Sequence, residues 1–201
     1  MKQIVLIMLL LPVALFAQDK IVITDSFETS KYQWSEEYEG DKIATISDGY
    51  YNIENKSQEH FIAITDFPFE GDHNFKVSTK VLIPKFGKKN EFGIVFDYDD
   101  DKNFSALILS DMKFRVCNFI GGIEYSVVKK GGIILKAEKG KLVSIEFKKV
   151  GKKITFLVDN MEIGTISRKT SSNSSTIGFY IGSDTKLMVD EIEIEQVSYN
   201  R

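Results

Sequence analysis

Acidic side chains give this chain its clearest capacity for metal chemistry. The segment Asp97-Tyr-Asp-Asp-Asp101 places four carboxylates within five residues, and carboxylate oxygens are the hard ligands that Ca²⁺ prefers. An EF-hand loop starting at Asp97 would need Gly at its sixth position and Glu at its twelfth. The chain has Lys102 and Ile108 there. We therefore interpret the segment as a solvated hairpin tip between two core strands.

A second metal hypothesis joins the first and last strands of the chain. Asp25 and Glu28 lie at the end of the first predicted strand, and Asp190 lies in the last one. If these strands are neighbours, the three carboxylates would be candidate ligands of a structural Ca²⁺, and calcium is the one cofactor we consider. The alternative is that Asp190 caps a turn or occupies a bulge.

The run Glu191-Ile-Glu-Ile-Glu195 has the residue type and spacing needed for acid–base chemistry. Retaining glycosidases hold two carboxyl groups about 5–5.5 Å apart across the scissile bond. Alternating Glu and Ile is also typical of an edge strand, where charged side chains discourage aggregation. We assign no catalytic residue, and the balance favours a protein that is not an enzyme.

Other catalytic arrangements have little support in the sequence. His60 and His73 lie in separate segments without the spacing of a zinc site, and no Gly-x-Ser-x-Gly elbow stands out. The single cysteine, Cys117, lies among Phe114, Val116 and Phe119, which predicts a buried thiol rather than a nucleophile.

Aromatic residues are the remaining candidates for ligand contact. Trp34, Tyr98 and Tyr125 would present flat faces on which sugar rings stack, and Arg115 and Asn118 would supply hydrogen bonds. These five residues are our predicted ligand-binding set. The alternative for each aromatic ring is a place in the core or at its rim.

Alternating apolar residues predict the strands that must position these groups. Phe75, Val77, Thr79 and Val81 share one side of the segment 75–83, and the same period of two recurs in 143–147 and 154–158. Between the last two segments, Gly151 suits a hairpin turn that needs positive φ. Further strands separated by Gly, Asp and Asn turns follow at spacings typical of a sandwich or barrel.

The rest of the chain predicts one all-β domain over residues 18–201. No window has the apolar period of a firm helix, and one cysteine permits no intramolecular disulfide. Residues 1–17 have a cation at Lys2, a short apolar run and a small residue at Ala17, which together predict a cleaved signal peptide.

Export follows from that signal peptide, so we expect a periplasmic or extracellular protein without a stable membrane anchor. Loss of Lys2 with the signal peptide would change the formal net charge from −3 to −4. This mild acidity and the mixed signs argue against a nucleic-acid partner.

Four segments carry a resemblance to a known fold: 25–53, which includes Trp34; 75–104; 150–164; and 177–192 with Gly178 and Gly182. Their order resembles the concanavalin A-like lectin/glucanase jelly roll, and is most similar to the bacterial LamG-like and 3-keto-disaccharide hydrolase-like domains. The resemblance implies a two-sheet antiparallel jelly-roll sandwich.

The same resemblance implies a non-catalytic module that binds carbohydrate or another extracellular ligand on a concave face. A glycoside-processing hydrolase of the 3-keto-disaccharide type and an envelope module that binds a protein partner remain alternatives. The run at Glu191 is also similar to the Glu-x-Asp-x-Glu strand of laminarinase-type enzymes, but it has Glu193 at the middle position and lies at the C-terminus.

Overall fold

The computed structural model describes residues 19–29, 31–38, 40–84, 91–110, 113–131, 142–168 and 173–198. The predicted signal peptide lies outside the described residues. The described residues form strands and contain no helix. In chain order the strands are β1 (Asp19–Asp25), β2 (Lys42–Ser47), β3 (Tyr50–Asn55), β4 (Phe61–Asp66), β5 (Asn74–Leu82), β6 (Phe92–Asp100), β7 (Asn103–Leu109), β8 (Lys113–Ile120), β9 (Ile123–Gly131), β10 (Leu142–Val150), β11 (Lys153–Val158), β12 (Met161–Ser167), β13 (Thr176–Ile181) and β14 (Thr185–Ser198).

The strands form two antiparallel sheets, which confirms the predicted all-β sandwich. Sheet A has the order β12-β11-β10-β5-β14-β3-β2, with β1 added along β14. Sheet B has the order β4-β13-β6-β7-β8-β9. The inner faces of the two sheets pack against each other and enclose the main core.

The predicted alternation in sheet A is confirmed at the level of single residues. On β5, Val77, Thr79 and Val81 are buried, whereas Lys76 and Lys80 are on the opposite, more exposed face. The same alternation holds in β10 and β11. A fully buried aliphatic or aromatic side chain contributes about 1.5–3 kcal/mol relative to an exposed one, so this pattern fixes which face of sheet A meets sheet B.

The predicted hairpin turns are also confirmed. Gly151 joins β10 to β11 with φ of 57°, and Asp159 and Asn160 join β11 to β12 with φ of 47° and 63°. Asp and Asn tolerate the left-handed region better than other residues with a side chain. These turns fix the register of the three neighbouring strands.

The last strand is interior, which corrects our interpretation of Glu191–Glu195 as an edge strand. β14 pairs with β5 along one side, and with β3 and then β1 along the other. The register shifts between Val189 and Glu191, so Asp190 occupies a β-bulge. Asp190 thus has the bulge position that the alternative interpretation expects.

Sheet B differs from sheet A because its middle strands are buried on both faces. On β6, residues from Phe92 to Phe96 are all buried, and β7 is buried from Phe104 to Leu109. Close packing of these strands needs glycine at Gly93, where an added Cβ would lie 1.8 Å from the carbonyl oxygen of Leu107. The chain therefore has no room for any other residue at this position without a backbone shift.

A buried carboxylate ties the first strand to the following loop. Asp25 is fully buried, and its two oxygens accept hydrogen bonds of 3.0 Å each from the backbone N–H of Phe27 and from Nε1–H of Trp34. Trp34 in turn packs against Phe27, Tyr51 and Phe179. Asp25 therefore satisfies two buried donors that have no access to water.

Within the ranges that the structure describes, no helix has the length and apolarity that a membrane crossing requires.

We predict that Gly93→Ala lowers the free energy of unfolding by about 1–3 kcal/mol or more, because β7 must move to admit the methyl group. Urea unfolding would measure the change. Gly164→Ala is the matched control, since its Cβ would meet only ring atoms of Phe114 at 3.4–3.7 Å. Equal stability of the two variants would contradict the close packing of β6 on β7.

Asp25→Asn is predicted to lower the free energy of unfolding by about 1–3 kcal/mol, because the new amide N–H₂ would face a buried donor. The loss should be the same with calcium and with a chelator. The matched control is Asp190→Asn on the bulge, with an expected change within about 0.5 kcal/mol. Similar losses in both variants, abolished by the chelator, would instead support the shared calcium site.

Candidate functional site

A second apolar cluster covers the outer face of sheet B. Residues paired across antiparallel strands project from the same face, and the ladder aligns Val95 with Ala106 and Ala106 with Cys117. On the same face, Tyr180 pairs with Gly93, Gly93 pairs with Ile108, and Ile108 pairs with Arg115. The cluster consists of Val95, Phe104, Ala106, Ile108, Cys117, Phe119 and Tyr180, all of which are buried.

The loop between β3 and β4 brings an imidazole against this cluster. The ring of His60 stacks on Tyr180 at 5.3 Å between centroids and lies 5.3 Å from Phe119 and 6.0 Å from Phe104. Burial, followed by the positive charge of Lys42, lowers the pKa of His60. The ring is therefore neutral at physiological pH and packs as an aromatic surface.

A cavity of about 1050 Å³ lies over this face, and we call it the groove. Tyr180 lines it from β13, Glu59 and His60 line it from the β3–β4 loop, and Asp101 and Asp184 line it from two turns. Pockets that hold small ligands have volumes of about 300–1,000 Å³, so the groove has room for an oligosaccharide. Burial raises the pKa of Tyr180, and its hydroxyl has no hydrogen-bond partner among the described residues.

An ion-pair network borders the groove. Arg115 donates from Nη1 and Nη2 to the two carboxylate oxygens of Glu91, at 2.6 and 2.9 Å, and from Nε to Glu124 at 2.9 Å. Burial opposes the charge on Arg115, but the hydrogen bonds to Glu91 and Glu124 outweigh it and raise the pKa of the guanidinium. The network is rigid because a bidentate pair fixes both partners.

Cys117 is buried, as the sequence predicts. Its thiol lies 3.0 Å from Oε1 of Glu124. Burial, and then this carboxylate, raise the pKa of the thiol to about 12. A reactive cysteine needs its thiolate form, so Cys117 packs in the outer cluster and does not act as a nucleophile.

Two of the five predicted ligand-binding residues lie at or near the groove. Arg115 forms an ion pair with Glu91, and Glu91 lines the cavity. Tyr98 packs against the outer cluster, and its hydroxyl donates to Asp101 at 2.8 Å. Burial, and then this hydrogen bond, raise the pKa of Tyr98 to about 12. Tyr98 therefore supports the wall of the groove.

The structure places the other three predicted residues elsewhere. Trp34 is in the main core, where its ring faces aromatic neighbours and its Nε1–H is used by Asp25. Asn118 lies on the inner face of sheet B and accepts a hydrogen bond from Ser105. Tyr125 pairs with Asn118 across β8 and β9, so it also projects away from the groove. These three residues do not converge with Arg115.

The three predicted calcium ligands do not form a compact group. Asp25 is buried with both oxygens occupied, whereas Glu28 is exposed and Asp190 is half-buried on the bulge. In the described part of the chain, the ligand atoms of Glu70, Asp72 and His73 do lie within 4.8 Å of one another, on the surface. Calcium binding by Asp25, Glu28 and Asp190 stays a prediction.

The acidic segment 97–101 comprises the end of β6 and the first residue of the turn that joins β6 to β7. Asp97 has φ of 53° and forms an ion pair with Arg168. Asp100 accepts hydrogen bonds from the backbone N–H of Lys102 and from Asn103. Its carboxylate thus closes the turn between β6 and β7.

The Glu191–Glu195 run lies on the outer face of sheet A, on the opposite side of the sandwich from the groove. Glu191 pairs with Lys80 at 2.7 Å, and Glu195 pairs with Lys76 and Lys20 at 2.5 and 2.6 Å. Hydrogen bonds from Lys20 and Lys76 lower the pKa of Glu195 to about 2. A glycosidase acid needs a raised pKa, so Glu195 is unsuited to that role.

Sequence reasoning missed His60 and Glu91 as groove residues, and it left Tyr180 out of the predicted ligand-binding set. One signal in the sequence could have indicated this site. Consecutive positions of β6 and β7 are apolar, and a strand with that pattern is buried on both faces. That signal predicts a cover over the outer face of sheet B. It does not say which distant loop supplies the cover.

Comparison with known proteins supports the fold. No family model matches the chain, and no curated protein shows significant sequence similarity to it. Among solved structures, the chain is similar to the carbohydrate-binding module CBM66 from Bacillus subtilis, with 13% identity and a TM-score of 0.56, over 87% of this chain and 92% of that one.

Two further structures have the same architecture. The CBM2 module of the evolved Dit protein of Lactobacillus casei BL23 phage J-1 is 12% identical, with a TM-score of 0.60 over 92% of this chain and 99% of that one. Xylan β-1,4-xylosidase from Bacillus halodurans C-125 is 15% identical, with a TM-score of 0.59 over 86% of this chain and 39% of that one. The protein has a concanavalin A-like β-sandwich fold.

Proposed function

We propose that this protein is an exported, non-catalytic module that binds carbohydrate in the groove over the outer face of sheet B. The observation that carries the proposal is the position of Tyr180, which packs in the outer cluster, lines the cavity, and has a hydroxyl without a hydrogen-bond partner among the described residues. Sugar rings have apolar faces and polar edges, and this surface matches both.

The apolar part of the groove supports stacking. His60 and Tyr180 have nearly parallel rings, with an interplanar angle of 21°. Behind them, the rings of Phe104 and Phe119 stack on each other with 4.3 Å between their centroids. Aromatic pairs contribute about 0.5–1.5 kcal/mol beyond their buried area. His60 is half-buried and presents the ring that a sugar can reach, and the buried rings of Tyr180, Phe104 and Phe119 support it.

The polar part of the groove supports orientation of the ligand. Glu59, Asp101 and Asp184 provide acceptors along the walls, and Lys42 provides a donor. The three acidic residues come from loops or turns, Lys42 begins β2, and Tyr180 comes from β13. Binding sites commonly combine variable loops with a rigid scaffold in this way.

The carboxylates near the groove favour a binding role over a hydrolytic one. Hydrolysis of a glycosidic bond needs two carboxyl groups in defined roles at one site. Glu91 and Glu124 are both engaged by Arg115, and this pairing lowers the pKa of Glu124 although burial alone would raise it. The three carboxylates of the Glu191 run lie on the other sheet. Similarity to carbohydrate-binding modules of the same fold agrees with this choice.

We predict that the wild-type protein binds members of a glycan array and that Tyr180→Phe weakens binding about 2- to 10-fold, the effect of one lost hydrogen bond. The substitution keeps the ring. Tyr125→Phe is the matched control, because Tyr125 is exposed on the opposite side of sheet B. Calorimetry with the best array ligand would measure both affinities. A larger loss in Tyr125→Phe than in Tyr180→Phe would place the site elsewhere.

The neutral state of His60 leads to a second prediction. Because its folded-state pKa lies below the unfolded value of about 6.5, the unfolded chain binds a proton first and stability falls as the pH drops through this interval. His60→Phe keeps the stacked ring and removes the proton site. We expect a smaller loss of stability in this variant than in the wild type between pH 7 and pH 5, measured by urea unfolding. Identical pH profiles would contradict the buried, neutral imidazole.

A further inference from the structure

We propose that the groove selects uncharged or amino-bearing glycans and rejects glycans that carry carboxylate or sulfate groups. This inference rests on the proposed function and adds the chemical class of the ligand. It follows from the charges around the cavity.

Arg115 lies behind the lining residue Glu91, and its positive charge is already neutralised. Glu91 occupies both Nη atoms, and Glu124 occupies Nε. An arginine recognises a carboxylate through parallel N–H donors, and here two carboxylates of the protein take those donors. The trio of Glu91, Arg115 and Glu124 carries a net charge of −1 and therefore repels an anion.

The residues that line the groove also carry an excess of negative charge. Among the described residues that line the groove, Glu59, Glu91, Asp101 and Asp184 are acidic, whereas Lys42 and Lys102 are basic. Lys42 itself lies 4.0 Å from Glu59. His60 adds no positive charge at physiological pH, because burial and then Lys42 lower its pKa. An approaching anion therefore meets an excess of negative charge, while a hydroxyl or ammonium group meets acceptors.

The experiment compares ligands that share a backbone and differ in charge. Oligogalacturonate and its methyl ester form one pair, and chitosan hexaose and its fully N-acetylated form are the other. Binding of each would be measured by calorimetry at 20 mM and 500 mM NaCl, alongside an array of neutral and acidic glycans. At low salt we expect the array's neutral glycans to bind at least 10-fold more tightly than its acidic ones. This ratio should shrink at high salt, because salt screens repulsion at an exposed site.

A substitution that releases the arginine gives a sharper test. Glu91→Gln removes the bidentate partner of Arg115 and should increase affinity for oligogalacturonate at least 10-fold at low salt. Asp184→Asn removes one wall charge and should change the neutral-to-anionic affinity ratio about 2- to 5-fold, as expected for one charge several ångströms away. Glu193→Gln on sheet A removes the same charge far from the groove and should leave the ratio unchanged.

The outcomes separate the two proposals. If neutral and acidic glycans bind equally well at low salt, or if the acidic ones bind better, the charge selection is overturned and carbohydrate binding stands. If no glycan of any charge binds, the proposed function fails, and the inference fails with it. An equal response of Glu91→Gln and Glu193→Gln would show that Arg115 does not control the choice of ligand.

Discussion

Burial of sheet B on both faces is the constraint on which the rest of the structure depends. Its inner face packs in the main core, and its outer face holds a second apolar cluster beneath the groove. At positions 93 and 178 the neighbouring backbone leaves no room for a Cβ, and both residues are glycine. On a solvated sheet face, Val95, Ile108 and Tyr180 would expose apolar surface to water. The fold and the candidate site therefore have one physical origin.

The parts of the fold that depend on local chemistry were predictable from the sequence. The period of two in β5, β10 and β11 gave the core face, because one buried face per strand produces that pattern. The turns at Gly151 and at Asp159-Asn160 followed from residues that accept positive φ. Trp34 was misplaced because its hydrogen bond to Asp25, nine residues away, has no signature in sequence.

The site was less predictable because its residues meet only through long-range pairing. Tyr180 reaches the groove because β13 pairs with both β4 and β6. The register shift between Val116 and Cys117 in the pairing of β8 with β9 determines which side chains of β9 share a face with Arg115. A shift of one residue exchanges the two faces of a strand. The face on which Tyr125 lies therefore could not be predicted without knowledge of this register shift. Glu91 was overlooked because a single acidic residue before a strand carries no motif.

The interior position of β14 has a consequence for how the chain folds. Every other strand precedes it in sequence, yet β5, β3 and β1 all hydrogen-bond to it. Until residues 185–198 arrive, sheet A is divided into fragments with unpaired edges, and β1 has nothing to pair with. Such non-local closure slows folding and favours a late, cooperative step. The nascent chain would thus be unable to complete sheet A until residues 185–198 have been made.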